Sequence, residues 1–251
     1  NGNGKRFKSQ LSSKEYQDLI DFEGNANAIR ILSRQYAGKS AGGLRLTYTT
    51  LASLLKYPCA SNETNKMYKH RKKYGFFRSD QKMFEEIAAN TNMIKDDNAE
   101  QCYFRHPFVY LTEAADDICY MVIDMEDAHR INILDRVQVE NALLSIISEV
   151  KGEEEGANLR EYCGKIGDDN EAVSFLRAMT INTLVNRGAE IFIANMDDIL
   201  AGKFTSTLID VISDDCPSLN KVIQLSIDKI YNHESVVEIE IAGYNVMSEL
   251  L

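Results

Sequence analysis

Three prolines in 251 residues, Pro58, Pro107 and Pro217, leave long stretches in which nothing forbids a helix. Those stretches favour Ala, Leu, Ile, Glu and Lys, and their apolar residues recur at three- and four-residue spacing rather than in alternation. The pattern predicts an all-α chain. One short run, Ala189-Glu190-Ile191-Phe192-Ile193-Ala194, alternates as a strand would, but it reads at least as well as part of a longer helix.

With 44% hydrophobic residues the chain can bury a substantial core, as one large domain or two smaller ones. The expected division is residues 1–150 as one helical domain and 151–251 as a C-terminal helical region packed on it. A formal charge of −10 argues against nucleic-acid binding by the surface as a whole and leaves room only for a local basic patch. The five cysteines, Cys59, Cys102, Cys119, Cys163 and Cys216, are widely spaced and include no Cys-x-x-Cys. They indicate neither a disulfide framework nor a zinc site, and a reducing cytoplasm suits them best. No apolar run approaches the roughly 20 residues that span a bilayer, and Asn1–Arg6 holds no signal-peptide core, so a soluble protein without membrane contact is expected.

Ser12 and Glu15 have capping-box spacing, opening a helix expected to run to about Gln35 if Gly24 is tolerated. Ala37–Gly43 breaks the chain, and a second helix from about Leu44 to Lys56 stops at Tyr57-Pro58. Residues 59–78 read as an irregular basic loop. Helices follow at about 80–91, 106–130 and 136–150, the last capped by Asp135. Lys151–Gly156 is the expected mobile surface loop. A long helix then runs from near Asn170 to Leu200, with Gly202 placed to end it, and shorter helices fill 205–250. Ile241–Leu251 keeps an apolar helical pattern with no stop signal, so the chain is expected to end inside an element.

The most informative stretch is Glu113–Asp127. At about 100° per residue, Asp116, Tyr120 and Asp124 share one face of a helix, while Leu111, Ala115, Ile118, Val122 and Met125 form an apolar stripe opposite. An exposed acidic side of an ordinary amphipathic helix explains this pattern on periodicity alone. A functional alternative is a sugar-binding surface, with a tyrosine between two carboxylates and an Asp oxygen able to hold a hard divalent cation. The densest basic cluster, Lys66, Lys69, Arg71, Lys72, Lys73 and Arg78 with Tyr68, Tyr74, Phe76 and Phe77 between them, suits either a solvated loop or a phosphate-docking patch. Gly38-Lys39-Ser40 resembles the end of a P-loop, but Ser33 stands where that loop needs its first glycine and no strand precedes it. The four histidines show no His-x₃-His spacing and no neighbouring aspartate, and each reads as a surface or packing residue.

Glu113-Ala-Ala-Asp-Asp-Ile-Cys-Tyr120, followed by Asp124-Met-Glu-Asp127, closely resembles the signature of bacterial deoxyguanosinetriphosphate triphosphohydrolases, which belong to the HD-domain metalloenzymes. Phe22–Asn27, Gly43–Tyr48, Leu55–Pro58, Lys73–Phe76 and Arg105–Pro107 look like landmarks of that family in the family's order, and Gly202–Phe204 and Glu240–Tyr244 extend the resemblance across most of the chain.

The resemblance implies an HD-domain-like helical bundle that splits a deoxynucleoside triphosphate, dGTP first among candidates, into nucleoside and triphosphate with a divalent metal such as Mg²⁺ or Mn²⁺. It implies Asp116 as a metal ligand and Tyr120 and Asp124 facing the deoxyribose. Lys56 and Tyr57 would contact substrate, and Lys73 a phosphate. Asn25 and Asn27 match a polar motif to which no role is assigned. The family's remaining metal ligands, a histidine and a His-Asp dyad, and its assisting histidine and glutamate have no counterpart here. The chain is therefore expected to be the middle and later part of a longer enzyme, to be catalytically incomplete alone, to offer no catalytic residue of its own and to form homo-oligomers. The alternative is a non-catalytic helical module for nucleotide binding or assembly, with contact to single-stranded nucleic acid through residues 66–78 as a further option.

Overall fold

A computed structural model describes residues 8–35, 37–38 and 43–250. The chain is all-α: among the described residues no strand forms, and two isolated antiparallel bridges, Cys59 with Cys102 and Lys95 with Tyr103, are its only extended pairings. Among these residues no helix is long and apolar enough to cross a membrane. The chain divides into two compact units, Asn1–Glu113 with Ala194–Ser206, and Ala114–Ile193 with Thr207–Leu251. Lys39 and Ser40 of the P-loop-like triplet lie outside the described residues.

In the first unit the expected helix from Ser12 to Gln35 is two helices, α1 (Ser13–Ile20) and α2 (Gly24–Ser33). The Ser12/Glu15 capping box forms as expected. The break comes because the Glu23 carboxylate caps a new helix start, accepting from the Asn25 backbone N–H at 3.2 Å and from its side-chain amide at 2.6 Å. Helix α3 (Tyr48–Ser53) is shorter than expected, since Thr47, whose hydroxyl accepts from Thr50 N–H at 3.1 Å, fixes its start. Residues 59–78 are irregular, with single turns at Ser61–Glu63 and Lys69–Arg71.

Helix α4 (Gln81–Asn90) follows. Ile29 of α2, Leu51 and Ala52 of α3, Phe84 and Ile87 of α4 and Phe76 of the loop form the core, with the Phe76 and Phe84 rings stacked at 4.0 Å. Tyr74 and Phe77 join Ala26, Cys59, Ala99 and Cys102 in a second buried cluster. Three of the four aromatics in the basic segment are thus core residues, which is why the segment holds its course without regular structure.

Helix α5 (Pro107–Arg130) matches its expected bounds, and its last 17 residues belong to the second unit. Ile118, Val122 and Met125 are buried as expected, but Leu111 and Ala115 are exposed, and Ala114, Met121 and Glu126 are buried instead. Glu126 is kept inside by two cations, Arg130 at 2.8 Å and Arg177 at 2.9 Å. Helix α6 (Arg136–Lys151) carries the Asp135 cap and buries Val139, Leu143, Leu144, Ile146 and Ile147.

The loop expected at Lys151–Gly156 is the start of helix α7 (Glu153–Cys163). Gly152, at φ 104° and ψ 154°, makes the whole turn, and Glu153, Glu154 and Glu155 sit in the first helical turn, where the dipole favours negative charge. Helix α8 (Asp169–Ala194) contains the strand-like run, and α9 (Met196–Leu200) ends just before Gly202. Helices α10 (Leu208–Asp215) and α11 (Pro217–Leu225) lead through a π-helical stretch, Ser226–Tyr231, into α12 (Glu234–Leu250). No residue of α12 is buried, and Ile239, Tyr244 and Leu250 are each more than 70% exposed.

Candidate functional site

Helix α5 carries the acidic face because its apolar side is committed to the core. Asp116 and Tyr120 are exposed, Tyr120 by 66%, and stand one turn apart. Asp124, one turn on, is half-buried and accepts a 2.6 Å hydrogen bond from the Tyr231 hydroxyl. Burial, and then this bond to a carboxylate, pushes the Tyr231 hydroxyl up to about pKa 12, so it stays a donor at neutral pH. Tyr231 is a side chain that the fold adds to this face, and the sequence alone does not reveal it. It lies on the π-helical stretch far along the chain, where a local departure from the α repeat re-aims a side chain.

The other expected substrate-contact residues lie in the first unit. Lys56 Nζ pairs with Glu113 Oε1 at 3.0 Å, while Arg105 holds the second oxygen of the same carboxylate at 2.9 Å. Arg105 also donates to the Lys56 carbonyl at 3.0 Å and the Lys69 carbonyl at 3.2 Å, so one buried guanidinium ties three segments together. Glu113 therefore fixes the position of Lys56, whose side chain is 30% exposed. Tyr57 is 92% buried, and its carbonyl accepts from Cys59 N–H at 2.7 Å. Lys73 is half-exposed and pairs with Glu23 at 3.2 Å. Burial raises the Glu23 carboxyl, but the hydrogen bonds from Asn25 and Lys73 outweigh it and hold the group below its ordinary range. Asn25 thus has a structural task, bracing the carboxylate that holds Lys73.

Asp116 belongs to no group of three His, Cys, Asp or Glu ligands among the described residues. The residues present do not make a complete metal site around it. Three histidines are held locally, as the sequence suggests: His106 accepts from Phe108 N–H, His129 bonds the Leu134 carbonyl and His233 the Ser235 hydroxyl. His70 departs from that reading, since it pairs with Asp96 at 2.9 Å across 26 residues.

Each unit holds a cavity of comparable size. One, of about 440 Å³, is lined by Tyr68, His70, Phe104, Tyr110 and Phe204 among others. The second, of about 420 Å³, is lined by Glu149, Asn186, Arg187 and Asp215 among others. None of the six expected site residues lines either cavity. In the second, Arg187 is already neutralised by Glu190 at 3.1 Å and Asp215 at 2.8 Å, so cavity shape is a weaker guide here than the chemistry on α5.

Known proteins are similar to this chain over nearly its whole length. A deoxyguanosinetriphosphate triphosphohydrolase-like protein of Synechocystis is 36% identical over 98% of this chain and 54% of its own length. One of Listeria monocytogenes is 34% identical over 96% of the chain and 51% of its own length. A deoxyguanosinetriphosphate triphosphohydrolase of Yersinia pestis is 30% identical over 96% of the chain and 47% of its own length. The chain spans about half the length of the curated relatives it matches. No family model matches it.

Proposed function

We propose that this chain, a member of the deoxyguanosinetriphosphate triphosphohydrolase family, forms part of an enzyme releasing triphosphate from a deoxynucleoside triphosphate, with dGTP the first candidate substrate. In this reading Asp116 is one ligand of a divalent metal. Tyr120 packs on the deoxyribose, and Asp124 accepts from its hydroxyl. Lys56, held by Glu113, and Tyr57 contact substrate, and Lys73, held by Glu23, supplies positive charge for a phosphate. The observation that carries the reading is the α5 face: an exposed Asp116 and Tyr120 and a hydrogen-bonded Asp124, in register, on a helix whose opposite side is core.

One carboxylate binds a divalent cation weakly and cannot position it as a full ligand set does. The 251-residue chain incubated with dGTP and Mn²⁺ is therefore expected to release no triphosphate above background, whereas in a full-length protein Asp116→Ala should abolish release. Turnover by the isolated chain that disappears in Asp116→Ala would overturn the claim that it is incomplete. Full-length activity untouched by Asp116→Ala would overturn the assignment of the site.

The lone carboxylate equally suits a second reading, a nucleotide-binding or assembly module without catalysis, and the exposed apolar residues of α12 favour self-association in either case. Light scattering of the purified chain tests the oligomer, and dGTP binding without hydrolysis in the full-length protein would favour this second reading. Nucleic-acid contact through residues 66–78 has less to work with, because Tyr74, Phe76 and Phe77 are buried and cannot stack on bases.

A further inference from the structure

A second chemistry-bearing cluster lies in the first unit and uses none of the residues of the proposed function. It is assembled by the segment between Pro58 and Pro107. Tyr103 N–H donates to the Pro58 carbonyl at 2.9 Å and Ala60 N–H to the Gln101 carbonyl at 3.0 Å, so Cys59 and Cys102 are directly opposed. Asp96 N–H donates to the Cys102 carbonyl at 3.0 Å, bringing that carboxylate beside the thiol. The Lys69–Arg71 turn delivers His70, whose Nε2 lies 2.9 Å from Asp96 Oδ2. One donor atom each from His70, Asp96 and Cys102 lies within 4.8 Å of the other two.

The surroundings hold these donors in place. Asp96 Oδ1 accepts from the Asn98 backbone at 2.9 Å and its side-chain amide at 3.0 Å, which aims Oδ2 at His70. The imidazole packs against Phe104, with ring centroids 4.9 Å apart. Asp96 and Cys102 are buried, and the His70 side chain is 13% exposed, on the wall of the 440 Å³ cavity. Arg71 Nε, with its side chain 8% exposed, lies 3.7 Å from Asp96 Oδ2 and has no hydrogen-bond partner. It is a cation at the edge of the cluster that completes no bond there.

We propose that His70, Asp96 and Cys102 form a binding site for a divalent transition-metal ion of the zinc class. An imidazole nitrogen, a carboxylate oxygen and a thiolate sulfur are the donor types zinc takes, and the sulfur selects against Mg²⁺ and Ca²⁺. Tetrahedral bonds of about 2.0–2.3 Å put ligand atoms about 3.3–3.7 Å apart. The cluster reaches that spacing by moving His70 Nε2 and Asp96 Oδ2 a few tenths of an ångström apart and drawing the sulfur inward. Binding forms three metal–ligand bonds with water as the fourth ligand, releases the Cys102 thiol proton to solvent, and breaks the His70–Asp96 hydrogen bond, the imidazole keeping its one proton on Nδ1 so that Nε2 is free to bind. Cys59, whose thiol donates to the Lys73 carbonyl at 3.1 Å, is outside the three-residue set. Arg71 competes with the metal for Asp96, so its removal should tighten binding.

The test is titration of the full, metal-stripped and reduced chain with Co²⁺, followed by Zn²⁺. One equivalent of Co²⁺ is expected to give thiolate-to-cobalt charge-transfer absorption and tetrahedral ligand-field bands, and Zn²⁺ should erase both. Cys102→Ser should remove the charge-transfer band. His70→Gln and Asp96→Asn should each weaken binding by about tenfold or more, comparable to losses on disturbing a metal site. Cys59→Ser should keep one equivalent and its spectrum, and Arg71→Met should lower the Co²⁺ dissociation constant. Each variant is compared with the parent by circular dichroism, and the parent's spectrum reports the site even if a variant fails to fold. No charge-transfer band at millimolar Co²⁺, or one that survives in a folded Cys102→Ser chain, would mean that the three side chains are only a buried hydrogen-bonded cluster.

Discussion

At the scale of single residues, position is decided by contacts that the residue's own identity barely announces. Lys73-Tyr74-Gly75-Phe76 stands out in the sequence, and the structure supplies the reason for its glycine. A Cβ built on Gly75 would collide with the Tyr57 carbonyl oxygen, a backbone atom that cannot swing aside. Gly75→Ala is expected to cost about 3 kcal/mol, the upper end of overpacking, as a lowered urea midpoint at unchanged slope. The α5 face was legible for the opposite reason. Asp116, Tyr120 and Asp124 lie within nine residues, and helix geometry alone puts them in register. Tyr231 and the His70–Asp96 pair were not legible, because nothing local links partners 107 and 26 residues apart.

At the scale of elements, capping chemistry read well and boundaries read less well. Ser12 with Glu15 forms the box its spacing predicts, and the expected Asp135 cap forms with Gln138 as its box partner. The segment 151–156 reads as a loop because glycines flank three glutamates, yet those glutamates are a favourable first helical turn once Gly152 has reversed the chain. One cap is invisible in the sequence: Glu149 of α6 accepts from the Ser218 backbone at 2.8 Å and hydroxyl at 2.6 Å, at the start of α11. Burial raises the Glu149 carboxyl, but the Ser218 bonds prevail and hold it below its ordinary value. A folded-state pKa below the unfolded one gives stabilisation that is present above the unfolded value and lost as pH falls through the folded one. Glu149→Gln should cost about 1 kcal/mol at neutral pH. The gap between variant and parent should close in acid, measured by urea unfolding at about pH 7 and about pH 3.

At the scale of the whole molecule, the division into two compact units has a measurable consequence. Phe76 is 1% exposed and stacked on Phe84 in the first unit, and Phe76→Ala is expected to cost about 3–5 kcal/mol there. Hydrogen exchange should accelerate first in α2, α3 and α4, and less in α6 and α8, where Leu143 and Leu176 are fully buried in a different core. Uniform acceleration across both units would show one cooperative block instead. By itself the sequence determined the helical class, the bounds of α5 and α6 and the residues sharing the acidic face, because each depends on spacing within a few turns. Only the tertiary structure decided that the aromatics of the basic segment are core, that Glu113 is shared by Lys56 and Arg105, and that His70, Asp96 and Cys102 converge. Those outcomes depend on loops closing over tens of residues, where free energy is set by burial and pairing between distant segments rather than by any local repeat.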